Sequence, residues 1–276
     1  MKRFLKYHIY DRLVLLKKVI QLNIWKHNTP IIVHTMAKVG SLSIYNSIKR
    51  QMPTTPIFHT HSLDVKTTKN EITYCFDNGI YPGSRSPVFL IHDKIMSKQR
   101  NYKIISLYRD PIERNISAFF DAFELYVGFK PEAYTGSLEH LETLFHKHLP
   151  YTYPLKWFDD NFFYDTQIDV YKYPFNAQLG HTVIQQDGKA ILIMNCYLDD
   201  SLKEKLICEF CGIPNFELTN TNITENRSSG NLYKKFKAFI RFDEAYLLKC
   251  YNSKYAKHFF TEAERENAIE KWLKPE

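Results

Sequence analysis

Glycine and cysteine are scarce in this chain, and long apolar runs are missing. The nine glycines among 276 residues include none in the Walker A spacing G-x-x-x-x-G-K-[S/T], which excludes a standard P-loop. The five cysteines are scattered, which argues against a disulfide framework and predicts reduced thiols in a cytoplasmic protein. The longest apolar run near the start covers residues 13–16, far short of the about 20 residues that cross a bilayer.

The charge excess is also small. Lys and Arg number 37 against 30 Asp and Glu, a formal net charge of +7, which favours anionic ligands. Beyond this charge no nucleic-acid motif is present, so we expect no nucleic-acid partner. Cys208 and Cys211 have C-x-x-C spacing, but no second pair or His cluster completes a zinc site. We therefore expect these two thiols to pack in the core, and no metal to be bound.

The first 28 residues combine cations with apolar residues. This composition predicts a basic amphipathic helix over residues 1–28. The favoured interpretation is a helix packed on the domain with a basic face in solvent. The alternative is peripheral contact of residues 1–26 with a membrane, which would place the protein at its inner face.

Short β-branched runs alternate with helical patterns along the chain, which predicts an α/β fold with a parallel sheet flanked by helices. We expect a single domain over residues 1–276, a polar loop over 62–86 and a helical C-terminal part over 232–276. The predicted strands cover 31–33, 56–61, 88–92, 103–108 and 190–194, and the predicted helices begin at 41, 112 and 200.

Two strand-to-helix corners carry candidate anion-binding groups. In the first, Lys38 and Gly40 follow a strand, and Ser41 and Ser43 enter a helix. Unpaired N–H groups and the helix dipole make such a helix start a phosphate site. Taken alone, the segment fits equally well an ordinary turn with an exposed lysine.

The second corner is more specific. Asp110 suits a helix N-cap, Pro111 the first helical position, and Glu113 the return bond of a capping box. Arg109 has no part in capping, and with Ser117 it can bind one phosphate through charge-assisted hydrogen bonds. The alternative for Arg109 is pairing with a nearby carboxylate.

Together these corners resemble the nucleotide-binding motifs of the sulfotransferases. Residues 38–41 are similar to the K-x-G-[S/T] loop, and residues 109–117 to the R-D-P-x-x-R-x-x-S motif. The resemblance implies a P-loop-like sheet and the sulfuryl donor 3′-phosphoadenylyl sulfate. Arg109 and Ser117 would hold the donor's 3′-phosphate. Its 5′-phosphosulfate would be held by Lys38, Val39, Gly40, Ser41, Leu42 and Ser43.

Further segments extend the resemblance over roughly residues 30–265. Residues 156–159 and 168–171 resemble a bacterial group of capsular polysaccharide synthesis proteins that is named for an N-K-W-Y-S stretch. Residues 227–260 are similar to the family's tail, in which Arg227 would close over the nucleotide. Trp157, beside Lys156, is the candidate for contact with a saccharide acceptor because an aromatic ring and a cation suit an anionic sugar.

Sulfuryl transfer needs a base for the acceptor hydroxyl, and histidine suits that role. If residues 88–92 form a strand, His92 ends at the same sheet edge as Lys38, and this family often carries its catalytic histidine there. His92 is therefore the first candidate. His59 and His61 are the rivals, two apart on the preceding strand and so on one face. Lys38 would stabilise charge on the departing oxygen.

The sequence thus predicts a sulfotransferase that transfers a sulfuryl group from 3′-phosphoadenylyl sulfate to a carbohydrate hydroxyl, in a capsular or other surface polysaccharide. Two alternatives remain. A P-loop-like kinase would need ATP and Mg²⁺. A non-catalytic basic module would bind anionic polysaccharide with strong salt dependence.

Overall fold

The structure is a computed structural model that describes residues 6–82, 85, 87–219 and 230–274. Its centre is a five-stranded sheet of order β2-β1-β3-β5-β4. The strands are β1 (Ile31–His34), β2 (Ile57–Thr60), β3 (Tyr102–Tyr108), β4 (His181–Gln186) and β5 (Lys189–Asn195). β1 runs parallel to β2 and to β3, and β3 runs parallel to β5. The predicted α/β class is confirmed, and the predicted parallel pairing is confirmed for β1, β2, β3 and β5.

Edge strand β4 departs from the prediction because it pairs with β5 in an antiparallel hairpin. Asp187 and Gly188 connect the two strands, and both have positive φ angles. Such a pair forms a tight turn that matches the twist of the flanking strands. The Asp-Gly dipeptide between two apolar runs is a hairpin signal that the sequence contained.

Helices surround the sheet and form most of the second half of the chain. The first half contains α1 (Asp11–Ile24), α2 (Ser41–Gln51), α3 (Val65–Asp77), α4 (Pro87–Ile91), α5 (Pro111–Asp121), α6 (Phe123–Val127) and α7 (Leu138–His148). The second half contains α8 (Thr152–Trp157), α9 (Tyr164–Thr166), α10 (Asp200–Cys211), α11 (Gly230–Phe239), α12 (Glu244–Tyr251), α13 (Lys254–Phe259) and α14 (Glu262–Trp272). Shorter π-helical and 3₁₀ turns cover Lys6–Tyr10, His92–Met96, Pro131–Ala133, Phe158–Phe163 and Val170–Lys172.

The predicted strand over residues 88–92 is wrong. The segment forms helix α4 and continues into a π-helical turn. Val88, Ile91 and Ile95 are almost fully buried, and their spacing of three and four residues is that of one helix face. A four-residue apolar run does not separate strand from helix, and the buried Ile95 beyond it was the missing signal.

The predicted loop over residues 62–86 is wrong in part, because α3 occupies Val65–Asp77. The Asp64 side chain accepts a hydrogen bond from the Thr67 backbone N–H and caps this helix. The helices expected at 41, 112 and 200 are confirmed within a residue, as is the helical character of the C-terminal part through residue 272.

Two apolar cores hold these elements together. The first fills both faces of the sheet and includes Trp157 and Tyr255. The second lies between α5, α7, α11, α12 and α14 and is rich in phenylalanine, with Phe119, Phe145 and Phe236 fully buried. Tyr151 packs against both cores, so the helical part lies directly against the sheet. The five cysteines are unpaired, and Cys208 and Cys211 pack on the first core.

Helix α1 packs on the domain, but not with the orientation we expected. Lys18 is buried, whereas Leu13, Leu16 and Ile20 face solvent. Along the described residues, no helix combines the length and the apolar character that crossing a bilayer requires.

Candidate functional site

The first corner lies between β1 and α2. Gly40 takes the N-cap position of α2 with φ 78°, a left-handed conformation that glycine adopts without strain. Lys38 is also left-handed, with φ 71°, which costs a lysine of the order of 1 kcal/mol. No side chain caps α2 at Gly40, so the first N–H groups of the helix stay open to a ligand.

The second corner lies between β3 and α5. As predicted, Asp110 caps α5 by accepting a hydrogen bond from the Glu113 N–H at 2.8 Å, and Pro111 begins the helix. The expected return bond from the Glu113 side chain is replaced by other contacts. The Glu113 carboxylate accepts from Tyr197 and contacts Lys271 at 2.6 Å and Lys237 at 3.1 Å. Although burial acts in the opposite direction, these contacts lower the pKa of Glu113 to about 2.

Arg109 joins the two corners. Its Nη1 donates to the Lys38 carbonyl oxygen at 2.9 Å, and its Nε donates to the Tyr197 hydroxyl at 2.9 Å. Its Nη2 lies 3.7 Å from a Glu113 carboxylate oxygen. The carboxylate pairing that we considered as an alternative therefore exists at longer range. Its three partners hold the guanidinium in one orientation at the shared sheet edge.

Both corners line one cavity of about 320 Å³. The sequence-predicted residues that line it are Lys38, Gly40, Ser41, Leu42, Ser43, His59, His61, Arg109 and Ser117. Asp121, which was not predicted, also lines it. Val39 is 1% exposed and packs in the sheet core, so its side chain supports the loop, and any contact with a ligand would be through its backbone.

Arg114 supports the first corner from below. Its side chain is buried, its Nε donates to the Ala37 carbonyl at 3.0 Å, and its guanidinium lies 4.4 Å from the Tyr153 ring centre. Residues 109–117 thus contribute two arginines with different tasks. Arg109 faces the cavity, and Arg114 fixes the loop that precedes Lys38.

Lys38 pairs with Asp121 across the cavity, with 2.8 Å between Nζ and the carboxylate oxygen. Asp121 is the last residue of α5 and lies one turn beyond Ser117 on the same helix face. Its position at i+4 from Ser117 was a signal that the sequence contained. An anionic ligand at Lys38 would compete with this carboxylate.

His59 and His61 lie side by side at the end of β2, with ring centres 4.9 Å apart. His59 Nε2 lies 2.9 Å from the Ser41 hydroxyl. Burial, together with the neighbouring His61, lowers the pKa of His59 to about 3. His59 is therefore neutral at physiological pH and a hydrogen-bond partner of the first corner.

A backbone carbonyl fixes the tautomer of His61. Its Nδ1 lies 2.7 Å from the Thr35 carbonyl oxygen, and because a carbonyl only accepts, Nδ1 carries the proton. Nε2 is then the unprotonated nitrogen of a neutral ring. Burial lowers the pKa of His61 below its usual value despite the opposing effect of the Thr35 carbonyl. The sequence placed this residue among the rivals, and its backbone partner was not readable there.

His92 does not belong to this site. It lies on the π-helical turn after α4, its side chain is half exposed, and its Nδ1 is 3.3 Å from Asp93. It is not among the residues that line the cavity. The prediction of His92 as the base depended on a strand over residues 88–92, and those residues form helix α4 and the start of a π-helical turn instead.

Trp157 is fully buried, so its predicted contact with an acceptor is wrong. Its ring packs 5.1 Å from His34, and its Nε1 donates to the His61 carbonyl oxygen at 3.3 Å. Its aromatic neighbours place Trp157 in the core, and it contacts the site through the His61 carbonyl oxygen. Lys156 is exposed and lies outside the cavity lining. Arg227 falls outside the described residues.

A buried pair supports the strand ends from beneath. His34 Nε2 lies 3.5 Å from the Asp165 carboxylate, and both side chains are almost fully buried. Burial lowers the pKa of His34 to about 3 and raises the pKa of Asp165 to about 7. Burial thus disfavours the charged form of both groups.

Neither the described metal-ligating side chains nor comparisons with known proteins indicate a function. Within the described ranges, no three His, Cys, Asp or Glu side chains come together as a metal site requires. No family model, no curated protein and no solved structure matches this chain. The functional interpretation therefore depends on the residues of the cavity.

Proposed function

We propose that this protein is a sulfotransferase that transfers a sulfuryl group from 3′-phosphoadenylyl sulfate to a hydroxyl of a carbohydrate. One observation carries the proposal. Arg109 and Lys38 belong to two separate helix starts, yet the Arg109 guanidinium donates to the Lys38 carbonyl at 2.9 Å. A ligand with phosphate groups at both ends of one nucleoside matches two such corners on one cavity.

The donor would bind with its two ends on the two corners. The open N–H groups at Ser41 and the hydroxyl groups of Ser41 and Ser43 suit the 5′-phosphosulfate. Arg109, assisted by the Ser117 hydroxyl, suits the 3′-phosphate, since charge-assisted bonds of this type contribute about 1.5–3 kcal/mol each. The parallel strands that lead into both corners are consistent with the P-loop-like arrangement that the motifs imply.

His61 replaces His92 as the proposed base. The acceptor oxygen attacks sulfur, its proton passes to His61 Nε2, and the bond between sulfur and the bridging phosphate oxygen breaks. The bisphosphate product leaves with the bonding electron pair. Lys38 would stabilise the charge that develops on that oxygen. A positioned base of this kind contributes about 10²–10⁴-fold in rate.

The acceptor is proposed to be a saccharide of a capsular or other surface polysaccharide. This part comes from the resemblance of residues 156–159 and 168–171, because the side chain predicted to contact the sugar, Trp157, is buried. Tyr197 is half exposed, and its ring centre lies 5.5 Å from the Arg109 guanidinium, so it offers an aromatic ring that a sugar could reach.

Two measurements test the proposal. In thermal unfolding, 3′-phosphoadenosine 5′-phosphate should raise the melting temperature more than ADP or ATP with Mg²⁺. In a transfer assay with labelled donor and a panel of polysaccharides, label should appear in a saccharide. Stabilisation by ATP and Mg²⁺ alone would favour the kinase, and salt-sensitive polysaccharide binding without transfer would favour the binding module.

A further inference from the structure

Helix α1 is attached to the domain by a side that buries two polar residues together with apolar ones. Lys18 and Gln21 are buried, at 5% and 2% exposure. The Gln21 amide donates to the Pro53 carbonyl at 2.7 Å, and Lys18 Nζ lies 5.6 Å from the Phe58 ring centre. Leu22 completes the buried side. An ordinary surface helix directs its apolar stripe towards the core, whereas α1 buries Lys18 and Gln21 and leaves a second apolar stripe uncovered.

The opposite side of the helix is apolar and exposed. Leu13, Leu16, Ile20 and Ile24 are 61%, 54%, 43% and 65% exposed. At about 100° per residue they fall within an arc of about 80°. Ile9 and Tyr10, in the preceding π-helical turn, are also more than half exposed. A contiguous exposed stripe of this kind marks an interaction surface.

The charges beside the exposed apolar stripe indicate which kind of partner fits this surface. Arg12 and Lys17 are exposed and lie on the two sides of the four aliphatic residues, about 80° and about 60° from the centre of the stripe on the same helical projection. The helix has one acidic residue, Asp11, and its carboxylate accepts from the Tyr81 hydroxyl. The exposed side therefore combines apolar residues with cations and one neutral amide, Asn23, and it carries no carboxylate.

A second copy of this chain is a poor fit for such a surface. In a two-fold pair the same patch faces itself, so Arg12 and Lys17 would be brought towards the same cations of the other copy. An anionic lipid surface complements both features, because acyl chains accept the aliphatic side chains and headgroups pair with the cations.

We propose that α1 lies in the plane of an anionic membrane surface, with Leu13, Leu16, Ile20 and Ile24 inserted at the headgroup level. Arg12 and Lys17 would contact the lipid phosphates on either side. The proposal concerns attachment alone and does not depend on the reaction carried out in the cavity.

Co-sedimentation of the full chain with vesicles tests this directly. Vesicles of phosphatidylcholine with phosphatidylglycerol should bind the protein, and phosphatidylcholine vesicles should bind it much less. The double variant Leu16→Glu, Ile20→Glu should reduce binding by at least about tenfold, since it places two carboxylates in the inserted stripe. Its thermal unfolding should match that of the wild type because both positions are exposed.

The matched control is Leu125→Glu, Leu248→Glu, which adds the same charge at exposed leucines of α6 and α12. It should bind vesicles like the wild type. The proposal is overturned if the wild type ignores anionic vesicles, or if the control loses binding equally. It is also overturned if the wild type is a dimer that the α1 variant dissociates while vesicle binding is absent.

Discussion

At the scale of single residues, the cavity owes its chemistry to side chains held by backbone carbonyls. Arg109 donates to the Lys38 carbonyl, and His61 lies against the Thr35 carbonyl. Both carbonyls belong to the loop between β1 and α2. This one loop therefore orients the candidate anion-binding guanidinium and the candidate base.

Replacing His61 tests its role as base. In His61→Asn the turnover number should fall by about 10²–10⁴-fold, because the proton acceptor is lost. Affinity for 3′-phosphoadenosine 5′-phosphate should change little, since His61 belongs to neither proposed phosphate corner. Steady-state kinetics and calorimetry measure the two effects separately.

The control is His92→Asn, at an exposed histidine outside the cavity. It should keep wild-type turnover. Because burial lowers the pKa of His61, the acid limb of the rate profile should lie below about pH 6.5. Loss of turnover in the His92 variant with an active His61 variant would reverse the assignment.

Removing the charge of Asp121 tests the competition at Lys38. In Asp121→Asn the nucleotide should bind about fivefold tighter, because Lys38 is released from a carboxylate at 2.8 Å. The pair is partly exposed, so its contribution is limited to about 1 kcal/mol. Calorimetry on the variant measures it. The control Asp159→Asn breaks an exposed pair with Lys254 outside the cavity and should leave the nucleotide affinity unchanged. Weaker nucleotide binding by Asp121→Asn than by the wild type would contradict the competition.

At the scale of elements, the ends of β1 and β2 concentrate buried neutral histidines. His34, His59 and His61 all have a pKa lowered by burial, to about 3 for the first two. In the unfolded chain they titrate near 6.5. Their contribution to stability is therefore present above pH 6.5 and is lost as the pH falls towards 3.

The free energy of unfolding should accordingly decrease below about pH 6.5, by up to about 1.4 kcal/mol per pH unit for each histidine. Asp165 acts in the opposite direction between about pH 4 and 7, because burial raises its folded pKa to about 7, and it offsets part of the loss. Urea titrations at several pH values measure the slope. His34→Phe should reduce the slope of the unfolding free energy against pH by the contribution of about one proton. The exposed variant His140→Gln should leave that slope unchanged. Equal slopes in the two variants would contradict this account.

Elements were predictable where a long pattern or a cap marked them. The apolar run at 103–108 and the Asp110-Pro111 start of α5 were read correctly because burial on both sides and capping have local signatures. The prediction for residues 88–92 was wrong because four apolar residues fit a strand or a helix equally well. The orientation of α1 was misread because its attachment depends on Pro53 and Phe58, far away in sequence.

At the scale of the whole molecule, the order of the parallel strands brings the two corners together. β1 and β3 are direct neighbours, and the carboxyl ends of parallel strands lie at one edge of a sheet. The motifs therefore predicted Lys38, Ser41, Arg109 and Ser117 at one site. Tyr197 escaped prediction because its role comes from tertiary contacts with Arg109 and Glu113 rather than from a local pattern, whereas Asp121 had a local signal in its i+4 spacing from Ser117.

Isothermal titration calorimetry with 3′-phosphoadenosine 5′-phosphate and 5′-AMP tests most directly whether both corners bind one ligand. Arg109→Ala should weaken binding of the bisphosphate by about 10–100-fold, which corresponds to one lost charge-assisted contact. The same variant should change the affinity for 5′-AMP by less than about threefold. Arg109→Lys should be intermediate, and exposed Arg50→Ala should match the wild type. Equal losses for both nucleotides in Arg109→Ala would contradict the two-corner site.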